Sequence, residues 1–298
     1  MSAILSSAEL KAVLPAPQGE DLAVVRAELD ELDDALHDLL IRRAEAVERI
    51  AAAKRAGLVA LRPGREASIL RRLLGRHSGG LPRQALVRIW RELFAGTTAM
   101  QGDFSIAVCD TEPGSALVQI AREHFGALTP LRVHGSPAQA LAELSAGAAG
   151  AAVLPLPAEG EPLSAAWWTA LLQRDEPRIR IVARLPFWAP RPEGAPRAQA
   201  LIAASIAPDA SGRDRSLLGL ELSSQLSRAS LAAALENAGL SPGAIILRRE
   251  PGAAEARALV DVQGYVQDDD DRLRALTALQ RPALVLGAYA VPVGGEAQ

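Results

Sequence analysis

The chain has 298 residues, 49% of them apolar but only 3% aromatic, and a formal net charge of -3 at pH 7. That length suits about two domains, with cores built largely from Leu, Ala, Val and Ile. The slight negative charge argues against general nucleic-acid or anionic-membrane binding. Cys109 is the only cysteine, which excludes an intramolecular disulfide and a thiolate-rich metal site. The four histidines, His37, His77, His124 and His134, lack metal-ligand spacing. The N-terminus lacks the basic region and apolar run of a signal peptide, and no apolar segment reaches the ~20 residues that cross a bilayer. A soluble, cytoplasmic protein is expected, and the local arginine richness of the first hundred residues suits a small anionic ligand better than a polymer.

Residues 1–20 read as a flexible arm ending in the breaker PAPQGED. A helix is predicted from about Asp21 to Ala56, with Asp21 as cap and Gly57 as stop. Leu22, Val25, Leu29, Leu32, Leu36, Leu39, Leu40, Val47 and Ile50 follow helical spacing. At roughly 35 residues it would span about 50 Å. A stripe that long exceeds what a small lone domain buries, so a homodimer is the simplest expectation. A second helix follows the turn ALRPG, from Arg65 to Gly75, and a third covers Pro82 to Gln101, with Pro82 suited to the first turn. Together these give an all-α domain over residues 21–102.

The pattern changes at Gly102-Asp103. FSIAVCD, LRVHG and GAAVLPLP read as strands separated by the helices GSALVQIAREHFG and SPAQALAELSAGA. This β-α-β-α-β order predicts a small α/β layer with parallel strands over residues 103–214. The Pro-rich LPFWAPRPEGAPRAQ then precedes a strand, ALIAASIAP. Residues 215–298 read β-α-β-β-α-β, the ferredoxin-like order, with the last helix near Asp271 to Leu279. The acidic run Asp268–Asp271 fits a solvated turn and helix cap rather than a metal site, because adjacent carboxylates do not by themselves form an oxygen cage.

Only two lysines occur, Lys11 and Lys54, and every other strong cation is arginine. A lysine at the end of the long helix suits a place where a compact, three-donor point charge is wanted. Arg43 and Lys54 are eleven positions apart and fall within about 20° on the wheel; Arg26 lies about 100° from Arg43 and points elsewhere. Arg65 and Glu66 open the second helix, and Thr97 and Gln101 share a face of the third. These offer cations, a carboxylate, a hydroxyl and an amide, with no nucleophile–base pair. The alternative reading is a solvated surface, the usual place of arginines on long helices, and it fits Arg42 and Arg49.

The spacing of Arg26 in LAVVRAELDELD, Arg43 in LLIRRAE, Lys54 in AAAK, Arg65-Glu66 in RPGREASIL, and Thr97 with Gln101 in FAGTTAMQ resembles the all-helical AroQ-type chorismate mutase domain. The resemblance implies a cofactor-free isomerase converting chorismate to prephenate in phenylalanine and tyrosine biosynthesis. It also implies a dimer in which Arg26 completes the neighbouring subunit's site. Arg26, Arg43 and Arg65 would clamp the two carboxylates, Lys54 and Gln101 would bond the ether oxygen, Glu66 would engage the ring hydroxyl, and Thr97 would line the pocket. Catalysis would come from holding the reactive conformer and stabilising charge on the ether oxygen. Gln101, where some relatives have Glu, would avoid an acid-pH requirement. Arg62 stands where some members carry an acidic residue, and is left outside the site.

The remaining two-thirds resembles, more distantly, the prephenate dehydratase and ACT portions of bifunctional P-proteins, through EPGSALVQIAREHFG, ALAELSAGAAGAAVLPLP and ALVDVQGYV with LGAYAVP. A reduced periplasmic-binding-like α/β domain and an ACT-type domain are implied, with phenylalanine or tyrosine as a possible effector. The chain departs at Ala198-Gln199-Ala200, which replaces the Thr-Arg-Phe motif of active dehydratases. It also departs at Arg228-Ala229-Ser230-Leu231 and Arg248-Arg249-Glu250-Pro251, which replace the effector loops. The alternatives are a bifunctional mutase/dehydratase and a non-catalytic regulatory partner on the same helices; related helices also serve isochorismate pyruvate-lyase chemistry.

Overall fold

The computed structural model describes residues 21–53, 61–110, 116–162, 165–189, 191–250 and 252–294. The chain divides into two compact units, residues 1–56 and 57–298.

The described part of the first unit is one helix, α1 (Leu22–Ala53). Asp21 caps it, its Oδ1 accepting from the Ala23 amide at 3.0 Å. At 1.5 Å per residue it is about 48 Å long. No residue of α1 is buried, and Leu22, Leu29, Leu32, Leu36 and Leu39 are each more than half exposed. The amphipathic stripe predicted from the sequence is present and uncovered.

The second unit begins with α2 (Pro63–Arg76) and α3 (Arg83–Ala99). Pro63 occupies the first turn of α2, where its missing N–H costs nothing. Ala67, Leu70 and Leu74 of α2 join Val87 and Phe94 of α3 in a core shared with Phe187 and Ala290. Leu70 is fully buried, worth about 1.5–3 kcal/mol for that side chain alone. These two helices are therefore packed on the α/β body rather than on each other alone.

Among the described residues that body is built on one nine-stranded sheet. Its first part is β1 (Ile106–Cys109), α4 (Ala116–Phe125), β2 (Leu131–His134), α5 (Pro137–Ser145) and β3 (Ala151–Pro155), followed by a 3-10 helix (Trp167–Leu172), β4 (Arg180–Leu185) and β5 (Ala200–Ala204). The second part is β6 (Asp214–Ser223), α6 (Arg228–Asn237), β7 (Pro242–Arg249), β8 (Glu255–Gln263), α7 (Asp271–Arg274) and β9 (Leu284–Ala290). The strand order is β2-β1-β3-β5-β4-β9-β6-β8-β7. β1 runs parallel to β2 and β3, and its four residues are buried, as expected of a strand covered on both faces. The order β9-β6-β8-β7 is the ferredoxin-like arrangement of the β-α-β-β-α-β unit.

The two parts of the sheet meet where Ile181 of β4 pairs with Gly287 of β9. A Cβ on Gly287 would lie 2.0 Å from the Ile181 carbonyl oxygen, so only glycine permits this approach.

Two local features differ from the expectation. β4 and the preceding 3-10 helix had no assignment in the sequence, because arginines interrupt the apolar pattern of RIRIVARL. Those arginines are held: Arg178 donates to the Val285 carbonyl at 2.6 Å, and Arg180 pairs with Asp268 at 2.9 Å. The last helix also stops at Arg274 rather than Leu279, because Leu279 forms a β-bridge with Leu222 and the Gln280 amide bonds the Glu221 carbonyl at 2.8 Å. Asp270 caps this short helix by accepting from the Arg272 amide at 3.0 Å, the role read for the acidic run. Among the described residues no helix is long and apolar enough to cross a membrane, and no cluster of potential metal ligands is found.

Candidate functional site

The candidate residues fall in both units. Arg26 and Arg43 lie on α1, Arg26 exposed and Arg43 half-buried. Lys54 lies outside the described residues. Arg65, Glu66, Thr97 and Gln101 belong to the second unit.

Arg65 and Glu66 sit in the first turn of α2, fixed by a residue far away in sequence. The carboxylate of Asp209 accepts from the Gly64 amide at 3.0 Å and the Arg65 amide at 2.9 Å. It thereby caps a helix whose own preceding residue, Arg62, provides no side-chain cap. Arg62 instead places its Nε 3.4 Å from Asp209 Oδ2. The close fit requires Gly64, since a Cβ there would lie 1.9 Å from the Asp209 carbonyl oxygen. The Arg65 side chain is exposed and makes no ion pair among the described residues.

Glu66 is held by Arg91 of α3, whose Nη1 donates to Glu66 Oε2 at 2.8 Å. Arg91 is only 4% exposed, and its guanidinium stacks over the Phe187 ring with its carbon 5.0 Å from the centroid. Burial pulls the Arg91 pKa below its ordinary value, while the facing Glu66 carboxylate opposes that shift. Breaking such a buried pair costs about 3–5 kcal/mol, because one charge is left without its partner. Glu66 is thus positioned as a carboxylate whose orientation is set from α3.

Thr97 and Gln101 stand one turn apart, as predicted. Thr97 Oγ1 donates to the Leu93 carbonyl at 2.8 Å, and Gln101 Nε2 donates to the Thr97 carbonyl at 2.9 Å. These local bonds orient both side chains at the C-terminal turn of α3.

Sequence reasoning missed Arg91 and Asp209. A signal for Arg91 was present: it takes a core position in the buried series Val87, Arg91, Phe94 and Thr98, where a cation needs a partner. Asp209 gave none, because its partners lie about 145 positions away.

Residues 25–102 match the family described as chorismate mutase type II. Among curated proteins, the bifunctional chorismate mutase/prephenate dehydratase of Stutzerimonas stutzeri is 26% identical over 145 residues, covering 47% of this chain and 40% of that protein. The protein of the same description from Neisseria gonorrhoeae is 33% identical over 101 residues, covering 34% of this chain and 27% of its own length. The chain thus spans well under half the length of the curated relatives it matches. A solved prephenate dehydratase from Arthrobacter aurescens, in complex with L-Phe, aligns with a TM-score of 0.47 at 15% identity, covering 65% of this chain and 92% of that one. By sequence, residues 25–102 belong to the type II chorismate mutase family, within a chain distantly homologous to bifunctional chorismate mutase/prephenate dehydratases.

Proposed function

We propose that this chain is a chorismate mutase, rearranging chorismate to prephenate without a cofactor. The family match over residues 25–102 carries this reading, because it covers the positions of all seven candidate residues. In this reading Arg26, Arg43 and Arg65 bind the substrate carboxylates, Lys54 and Gln101 stabilise charge on the ether oxygen, Glu66 takes the ring hydroxyl, and Thr97 lines the site. The hold of Arg91 on Glu66 supports a preorganised carboxylate.

The functional form proposed is a homodimer joined along α1, with Arg26 reaching the partner's site. The five leucines left more than half exposed on α1 support it. The proposed boundaries are an arm over residues 1–20, the mutase domain at 21–102, an α/β domain at 103–214 and an ACT-like module at 215–298. The ferredoxin-like strand order supports that last assignment.

The test is consumption of chorismate by the purified full chain, with the product identified and isochorismate offered separately. Prephenate should accumulate, and Arg43→Ala or Lys54→Ala should each lower kcat/KM by about 100-fold or more. Absence of turnover with chorismate, or variants that match the unmodified chain, would refute the proposal. Phenylpyruvate as the product would instead show dehydratase activity.

A further inference from the structure

A cavity of about 280 Å³ opens on the second unit, and none of the candidate mutase residues lines it. Its walls come from α3 (Arg88, Arg91), α4 (Glu123, His124) and the segment after β4 (Trp188, Arg191). Val87, Ile120, Leu185 and Phe187 supply its apolar surface. The size lies at the lower edge of ligand pockets, which run from roughly 300 to 1,000 Å³, and so suits a single-ring molecule rather than a nucleotide.

Three buried polar atoms of residues that line it have no hydrogen-bond partner among the described residues: Nδ1 and Nε2 of His124 and Nε1 of Trp188. His124 is only 7% exposed. Burial first, and then the charge of Arg91, hold its pKa well below the usual histidine value, so the ring is neutral. A neutral imidazole offers one donor and one acceptor, and leaving both unused inside a protein is costly. Each of these atoms exposes under 1 Å², so they lie behind the cavity wall rather than on it.

The charge balance defines that ligand further. Arg91 is matched by Glu66 at 2.8 Å, and Arg191 by both oxygens of Glu123 at 2.7 and 2.8 Å. Arg88 forms no ion pair among the described residues. Three guanidiniums thus face two carboxylates, leaving one positive charge beside an apolar cavity.

We propose that this cavity binds an aromatic or bulky apolar monocarboxylic acid, its carboxylate on Arg88 and Arg191 and its ring against Phe187 and Trp188. None of the proposed mutase residues lines the cavity, although its wall residue Arg91 also holds Glu66.

The test is calorimetric titration of the full chain with 3-phenyllactate, 3-phenylpropionate and the neutral 3-phenylpropionamide. Both acids should bind, and the amide should bind about tenfold more weakly or worse, the range of one charge-assisted hydrogen bond. Arg88→Gln, at an exposed position, should weaken both acids by a similar factor without affecting folding. Ala195→Phe, on the half-buried rim loop, should abolish binding by filling the cavity. Equal affinity for acid and amide, unchanged binding in Ala195→Phe, or no heat from any probe up to millimolar concentration would each overturn the assignment.

Discussion

The substitution Asp209→Ala tests whether the first turn of α2 is held by a cap supplied from the far end of the chain. The carboxylate is 17% exposed and accepts two backbone amides at 3.0 and 2.9 Å. Losing an ordinary capping side chain costs about 1 kcal/mol, within a range of 0.5–2. A carboxylate at a helix N-terminus adds about 0.3–1 kcal/mol through the helix dipole. Arg62 contributes little, being 53% exposed and 3.4 Å away. The expected loss is therefore about 2 kcal/mol. With a urea m-value of about 2 kcal/mol/M, the unfolding midpoint should fall by about 1 M. Asp209→Asn keeps one acceptor oxygen and loses the charge, so it should lie between the two. Amide exchange across α2 should accelerate in the same order. If Ala, Asn and the unmodified chain share one midpoint, the cap is not stabilising and the account of the first turn fails. In the mutase reading the same variant should raise KM for chorismate, since Arg65 and Glu66 sit on that turn.

Two further outcomes follow from buried groups. Burial and the Asp261 carboxylate push the Tyr289 hydroxyl up to about 12, and burial also raises Tyr265. Because the folded chain retains the Tyr289 proton that the unfolded chain loses near pH 10, stability is intact below that pH. It then falls by about 3 kcal/mol as pH rises from 10 to 12. Absorbance at 295 nm should show no more than one of the two tyrosines ionising in the native chain near pH 10, and ionisation of both there would contradict the burial argument. Gly287→Ala should cost about 3–5 kcal/mol, since its Cβ meets the Ile181 carbonyl at 2.0 Å and its φ of 145° disfavours any side chain. Melting should drop by about 10 °C. A change under 2 °C would mean that the β4–β9 junction relaxes freely.

How far the fold could be read from sequence depended on the range of the interactions that decide it. α2 and α3 were expected at 65–75 and 82–101 and are found at Pro63–Arg76 and Arg83–Ala99, because helical period is a local signal, although Pro63 opens α2 rather than ending the turn before it and Pro82 precedes α3 rather than opening it. The β-α-β-α-β run was equally readable, since continuous apolar segments such as SIAVC mark covered strands. β4 was not, because Arg178 just before it and Arg180 within it are bonded by a carbonyl and a carboxylate that only the folded sheet brings near. The candidate site divides in the same way. Thr97 and Gln101 are a single-turn relation across the end of one helix, whereas Glu66 depends on Arg91, and Arg65 on Asp209, through tertiary contacts.

That division also changes what the arginine-rich composition means. Of the 32 strong cations only two are lysine, Lys11 and Lys54, and neither falls among the described residues. Every strong cation described in the fold is thus a guanidinium, whose planar fork bonds several acceptors at once while buried. Arg71 shows the consequence: its Nη1 donates to Ser211 Oγ at 2.8 Å, and its Nη2 to the Arg213 and Val291 carbonyls at 3.0 and 2.6 Å. It thereby ties α2 to the loop before β6 and to the end of β9. Arg184 likewise bridges Tyr289 and Gln199. A lysine carries its donors on one nitrogen and would not span acceptors set this far apart, which argues that these arginines are structural. They must be subtracted from the surplus that first suggested an anionic ligand. On α2 and α3, removing Arg71 and Arg91 leaves Arg65, Arg72, Arg76, Arg83 and Arg88 as exposed cations without an ion pair among the described residues. Of these, Arg65 opens the turn that carries Glu66, and Arg88 borders the cavity beside His124. The composition alone therefore overstates the anion-binding capacity of the two helices, because two of their seven arginines are committed to holding the fold.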